Sequence, residues 1–140
     1  MKILIIDGQG GGIGKVLIEK LRASVSPEDT ITAVGTNALA TSAMLRAGAD
    51  EAATGENAIV VNSPKADVIA GVVGIVAANS MLGELTPQMA QAISASPAHK
   101  VLIPLNRCGI TIAGVSESAQ VSALVDEAAR IIMGMRSQLA

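Results

Sequence analysis

Lys2-Ile3-Leu4-Ile5-Ile6-Asp7-Gly8-Gln9-Gly10-Gly11-Gly12-Ile13-Gly14-Lys15 is the stretch whose reading decides the fold. Ile3 to Ile6 is an unbroken apolar run closed by Asp7-Gly8, the pattern of a strand buried on both faces of a parallel sheet. From Gly12 to Ala23 the period changes to that of a helix. Ile13, Val16, Leu17 and Leu21 share one face, and Lys15, Glu19, Lys20 and Arg22 fall mostly elsewhere. A strand therefore feeds a helix through a loop that carries five glycines between Asp7 and Lys15. Glycine costs conformational entropy on folding, so this density needs a reason. A plain tight turn needs one or two. Close approach of a ligand to the backbone accounts for more, and the free amides and dipole of a helix start favour an anion there.

The same alternation continues outward. Thr30-Ile31-Thr32-Ala33-Val34 reads as a second strand ended by Gly35. Thr36 or Asn37 can cap a helix over Ala38 to Ala47 that stops at Gly48. Asp50 to Thr54 reads as a short third strand and Asp67 to Val73 as a fourth. Between them Ala58 to Ser63 is open: Ile59-Val60-Val61 favours strand, its place between strands favours a short helix, and Pro64 ends it. Thr86-Pro87 is a helix start, Thr as N-cap and Pro at the first position, with the helix running to about Ala95. His99 to Leu105 reads as a fifth strand, Ile110 to Ala113 as a sixth, and Ser118 to Met135 as a closing helix. Alternating elements predict an α/β fold: a Rossmann-like, doubly wound, mostly parallel sheet of about six strands with helices on both faces. At 140 residues, without a linker, repeat or low-complexity tract, residues 1–140 are expected to form a single domain. Ligands of such sheets sit beyond the carboxyl ends of the strands. Asp7, Gly35, Thr36, Thr54, Asn79 and Asn106 are expected near that edge.

Composition narrows the function. Half the residues are apolar and mean hydropathy is +0.51, yet Phe, Tyr and Trp are absent. No ring can stack on a base or a flavin, and no tyrosine can act as acid or base. The net charge is −2 with Lys and Arg scattered, so the basic footprint of nucleic-acid binding is missing. One cysteine excludes an internal disulfide and a cysteine-cage metal site. No His, Cys, Asp and Glu group has ligand spacing, so no metal is expected. The longest apolar stretch, Val68 to Ala78, is too short to span a bilayer. No leader pattern precedes the first strand, which sets a cytoplasmic expectation. The excess of apolar residues predicts a covered face, a homodimer.

The spacing Gly8, Gly12, Gly14 is G-x-x-x-G-x-G and not G-x-G-x-x-G. It resembles the cofactor loop of short-chain dehydrogenases, which implies NAD or NADP as cofactor and a small-molecule nucleotide as partner. That family's Tyr-x-x-x-Lys catalytic pair cannot exist in a chain without tyrosine, so the catalytic residues stay unknown. Gly14-Lys15 also looks like the end of an ATP- or GTP-binding P-loop. However, Val16 stands where Ser or Thr would hold magnesium. The third alternative, a non-catalytic interaction protein, leaves Gly10, Gly11 and Gly12 unexplained.

At the end of the second strand, where dinucleotide folds place an acid for the ribose diol, the chain reads Val34-Gly35-Thr36-Asn37, with neither acid nor arginine. The expected cofactor-binding set is Gly8, Gln9, Gly10, Gly11, Gly12, Ile13, Gly14, Thr36, Asn37, Thr54 and Asn79. Glu56 is the one carboxylate beside Asp7 considered for acid–base work, against a plain role in the first turn of a helix. Cys108 lacks a base, since His99 should lie at the opposite end of the sheet. Arg107 is a loop arginine able to meet a phosphate.

Four stretches together extend the likeness to nearly the whole chain: residues 6–15, Gly35-Thr36-Asn37-Ala38-Leu39-Ala40-Thr41-Ser42-Ala43-Met44, Ala53-Thr54-Gly55-Glu56-Asn57-Ala58 and Ala78-Asn79-Ser80-Met81-Leu82-Gly83-Glu84. They resemble the bacterial family DUF3842. The resemblance implies no activity and directs attention to Thr54-Gly55-Glu56-Asn57 and Asn79-Ser80 as neighbours of the glycine loop.

Overall fold

The computed structural model describes residues 1–9, 12–105, 109–116 and 118–139. Gly10, Gly11, Asn106, Arg107 and Cys108, all singled out above, lie outside the described residues. Five strands, β1 (Lys2–Asp7), β2 (Thr30–Gly35), β3 (Glu51–Thr54), β4 (Val68–Val72) and β5 (His99–Ile103), form one parallel sheet in the order β3-β2-β1-β4-β5. The helices are α1 (Gly12–Arg22), α2 (Ala38–Arg46), α3 (Glu56–Asn62), α4 (Pro87–Ala95), α5 (Val121–Gly134) and the short α6 (Arg136–Leu139).

The apolar run is the centre of the sheet. Ile3 to Ile6 are all buried, and β1 pairs with β2 on one side and β4 on the other. Alternate side chains feed two cores, as strand geometry requires. Ile3 and Ile5 pack with Leu17, Leu21, Met44, Val125 and Ile132, under α1, α2 and α5. Leu4 and Ile6 pack with Ile59, Leu85, Met89 and Ile93, under α3 and α4. The sheet is covered on both faces, and strand order reverses between β1 and β4.

Two expectations change. The sheet has five strands among the described residues, because Ile110–Ala113 has no ladder partner. Residues 111–116 are exposed, and Gly109 and Gly114, on either side of Ile110–Ala113, have positive φ. Apolar composition alone does not make a strand without a neighbouring edge to bond. The final helix begins at Val121, after an extended Gln120, and not at Ser118. The open segment resolves as helix α3 followed by a 3₁₀ turn at Ser63–Lys65. The strand propensity of Ile59-Val60-Val61 yields to the crossover that must carry the chain from β3 to the parallel β4. The Thr86 cap and Pro87 start of α4 are as read.

Asp50 ties the far end of this frame. Its Oδ2 accepts the Ile31 amide at 2.8 Å and the Arg22 guanidinium at 2.6 Å, joining the last residue of α1 to β2. The Ile31 amide first, and then Arg22, hold its carboxyl below the ordinary value against a partial opposing effect of burial. A lowered folded pKa gives stability that is present above the unfolded value of ~3.9 and lost as pH falls through the folded one. Asp50→Asn is therefore expected to cost about 1 kcal/mol at pH 7, since the pair is partly solvated. In urea titrations the gap between variant and parent should close towards pH 2–3. A gap that stays constant with pH would contradict the assignment.

Candidate functional site

The glycine loop leaves β1 at the reversal point of the sheet and is braced from within. Asp7 is buried, and its Oδ1 accepts the Gly8 amide at 2.8 Å while its Oδ2 accepts the Gly14 amide at 2.6 Å. One side chain thus spans the loop from its base to the first turn of α1, where a carboxylate also suits the helix dipole. Gln9 turns the chain with φ of 49°. The Thr36 amide donates to the Asp7 carbonyl at 3.0 Å, which fastens the end of β2 to the end of β1.

The glycines differ in what surrounds them. A Cβ at Gly14 would lie 2.6 Å from the Met44 sulfur and 3.0 Å from Asp7 Cβ, so this glycine lets α1 sit against β1. A Cβ at Gly8 would lie 2.5 Å from Met81 Sδ and 2.6 Å from Thr36 Oγ1. At Gly12 a Cβ would meet nothing within 4 Å. Gly12 is exposed, and among the described residues no neighbouring group demands a glycine there. The amides of Gly12 and Ile13 open α1, where helix geometry offers them no carbonyl. The Ile13 side chain packs on the core, so only its backbone faces a ligand question.

Across the reversal point, β4 runs into a strap from Ala77 to Leu85. The strap closes on itself through the Asn79 amide to the Leu85 carbonyl, 2.8 Å, and through Ser80 Oγ to the Gly74 carbonyl, 2.6 Å. Asn79, Met81, Leu82 and Gly83 all have positive φ, 65°, 57°, 57° and 90°. Left-handed geometry costs about 1–2 kcal/mol per non-glycine residue, with asparagine the better tolerated. This path brings Glu84 onto the glycine loop. Its Oε1 accepts the Gln9 amide at 2.9 Å, the Thr36 hydroxyl at 2.7 Å and the Asn37 Nδ2 at 2.7 Å. The Gln9 amide, then Thr36 and Asn37, hold the Glu84 carboxyl below its ordinary value against burial. Residue 84 was not among the residues expected from sequence. It lies in one of the stretches that carry the family likeness, but nothing local marks a glutamate 75 positions away as a partner of Gln9.

Of the expected set, the structure brings Gly8, Gln9, Thr36 and Asn37 together around this carboxylate, while Gly12 and Gly14 stand at the start of α1, Gly14 held by Asp7. Asn37 serves twice: its Oδ1 caps α2 through the Ala40 amide, and its Nδ2 donates to Glu84 and to the Gln9 carbonyl. Thr54 is linked to Asn37 through Thr41, whose Oγ1 lies 2.7 Å from Thr54 Oγ1 and 3.0 Å from the Asn37 carbonyl. Asn79 belongs to the strap and touches the loop through none of its hydrogen bonds among the described residues. Glu56 Oε2 accepts the Thr86 hydroxyl at 2.5 Å, and Thr86 Oγ1 in turn caps α4, so Glu56 joins α3 to α4. His99 is exposed at the amino end of β5, opposite the site. Among the described residues no cluster of three His, Cys, Asp or Glu side chains is placed to hold a metal, and no helix is long and apolar enough to cross a membrane.

Known proteins give the fold a context. A crystal structure of AibC is similar with a TM-score of 0.51 and 18% identity, over 94% of this chain and 38% of that one. The chain thus spans well under half the length of AibC. The dodecameric FMN-dependent UbiX-like decarboxylase from Escherichia coli O157:H7 aligns with a TM-score of 0.48 and 19% identity, over 96% of this chain and 76% of that one. Such identities speak of fold alone. No curated protein sequence matches the chain. The model of a domain of unknown function, DUF3842, matches residues 2–136, and the chain belongs to that family.

Proposed function

We propose that this chain is a nucleotide-binding domain that takes a dinucleotide of the NAD(P) type at the glycine loop. The observation that carries the reading is positional. The loop from β1 to α1 lies where strand order reverses, the crevice in which doubly wound sheets hold their ligands. Gly12 and Ile13 present amides there, and space stands open over Gly12. Thr36, Asn37 and Thr54 line the ends of β2 and β3 beside it. The P-loop alternative gains nothing, because Val16 packs its side chain on the core and offers no magnesium ligand.

The reading assigns cofactor binding and leaves the reaction open. Asp7 has both oxygens committed to loop amides, and Glu56 is bonded to Thr86, so neither is offered here as an acid or base.

Thermal denaturation with NAD+, NADP+, ATP with magnesium and inorganic phosphate separates the readings. A dinucleotide at 100 times its dissociation constant adds about 2.7 kcal/mol, a rise in midpoint on the order of 5–10 °C. Gly12→Val is expected to abolish that rise while leaving the ligand-free midpoint nearly unchanged. A rise with ATP and magnesium only, or one that survives Gly12→Val, would contradict the proposal. The neighbouring glycine gives the opposite result without ligand. Gly14→Ala is expected to destabilise by about 1–3 kcal/mol, because its methyl group drives into Met44 and Asp7. Gly12→Ala should be neutral or stabilising by up to about 1 kcal/mol, read from urea midpoints.

A further inference from the structure

We infer that Glu84 is the ribose-binding acid of this site: its carboxylate accepts the vicinal 2′- and 3′-hydroxyls of the ligand's ribose and selects a free diol over a 2′-phosphate. The inference rests on the nucleotide reading above and narrows it to the NAD type.

Dinucleotide folds hold this diol with an acid at the end of the second strand. Here that strand ends in Gly35-Thr36-Asn37, which contains none. The Glu84 carboxylate reaches the end of β2 from another direction. Its Oε1 lies 2.7 Å from Thr36 Oγ1 and 2.7 Å from Asn37 Nδ2, directly after β2, and 2.9 Å from the Gln9 amide, directly after β1. A group bonded to both loop ends sits where a ribose would pass between the loop after β1 and the loop after β2.

The way the carboxylate is held suits an acceptor. All three donors converge on Oε1, and Oε2 takes no hydrogen bond among the described residues. One oxygen fixes the group in place, and the other stays available for a hydroxyl. The three donors favour the ionised form, so the group accepts and does not donate. Two hydroxyls gain a charge-assisted partner, whereas a 2′-phosphate meets a fixed negative charge. The strap supplies an independent sign. Three non-glycine residues, Asn79, Met81 and Leu82, hold left-handed backbone to bring Glu84 here, and Leu82 is 98% exposed, so packing of that side chain is not what compensates it.

Titration calorimetry on the intact chain tests this with four probes: NAD+, NADP+, ADP and 2′-deoxy-ADP. The parent protein should bind NAD+ at least about tenfold more tightly than NADP+, and ADP about tenfold more tightly than 2′-deoxy-ADP, the scale of one charged hydrogen bond. The second comparison needs no variant. Glu84→Gln keeps a carbonyl for the three donors. It should weaken NAD+ about tenfold, spare NADP+, and bring their ratio near one. If Glu84→Gln instead tightens NAD+ and NADP+ alike, the carboxylate is an internal plug and the inference falls. It falls equally if the ratio ignores Glu84→Gln while Gly12→Val still abolishes binding, and the nucleotide reading then stands. Failure of all four probes to bind the parent protein overturns both.

Discussion

The carboxylate of Asp7 is what ties the two ends of the glycine loop to the central strand. Glycine-rich backbone left alone samples many conformations, and a ligand would have to order it at the moment of binding. Asp7 fixes the ends of that stretch, Gly8 and Gly14, as the domain folds. It is rooted at the end of the central strand, 6% exposed, and it holds the amides of Gly8 and Gly14 at the two ends of the loop. The burial of β1 thus fixes Asp7, and Asp7 holds Gly8 at the end of the strand and Gly14 in the first turn of α1. The brace also has a chemical effect. It consumes the Gly14 amide, so an incoming anion is left with Gly12, Ile13 and whatever the rest of the loop provides.

Around this brace the site is assembled from three segments that the sheet brings to one edge. Thr36 is stitched to β1 through the Asp7 carbonyl. Asn37 faces two ways, its oxygen closing the start of α2 and its nitrogen reaching Glu84. The strap from β4 crosses the reversal point and rests Met81 against Gly8. The result is a polar cluster whose fixed charges, Asp7 and Glu84, are both negative and both bonded to backbone amides.

Most of the frame was legible in the sequence because its signals are local. An unbroken apolar run, a glycine loop and a period of 3.6 identify β1, the loop and α1 without reference to distant residues, and Thr86-Pro87 marks α4 as directly. The failures share a cause. Ile59-Val60-Val61 has strand composition, but its conformation is set by the need to cross from β3 to a parallel β4. Ile110–Ala113 is apolar enough for a strand, yet a strand exists only where an edge accepts it, and none does. Glu84 is the strongest case. Nothing in the sequence around Gln9, Thr36 or Asn37 marks residue 84 as their shared partner. The carboxylate arrives from a turn built on left-handed methionine and leucine, a conformation that composition does not advertise.

That turn makes the strap the least secure part of a secure neighbourhood. Its left-handed residues set unfavourable backbone energy against a few closing bonds and the buried Leu85. Local opening should therefore need less free energy than opening the sheet. The Gln9 amide donates to Glu84, two residues beyond the end of β1. Its hydrogen-exchange lifetime is accordingly expected to follow the strap and not the strand before it, whereas the Gly14 amide, held by Asp7, is expected to exchange with the core. Two amides at the ends of one loop would then report on two different openings, the slower one being that of Gly14.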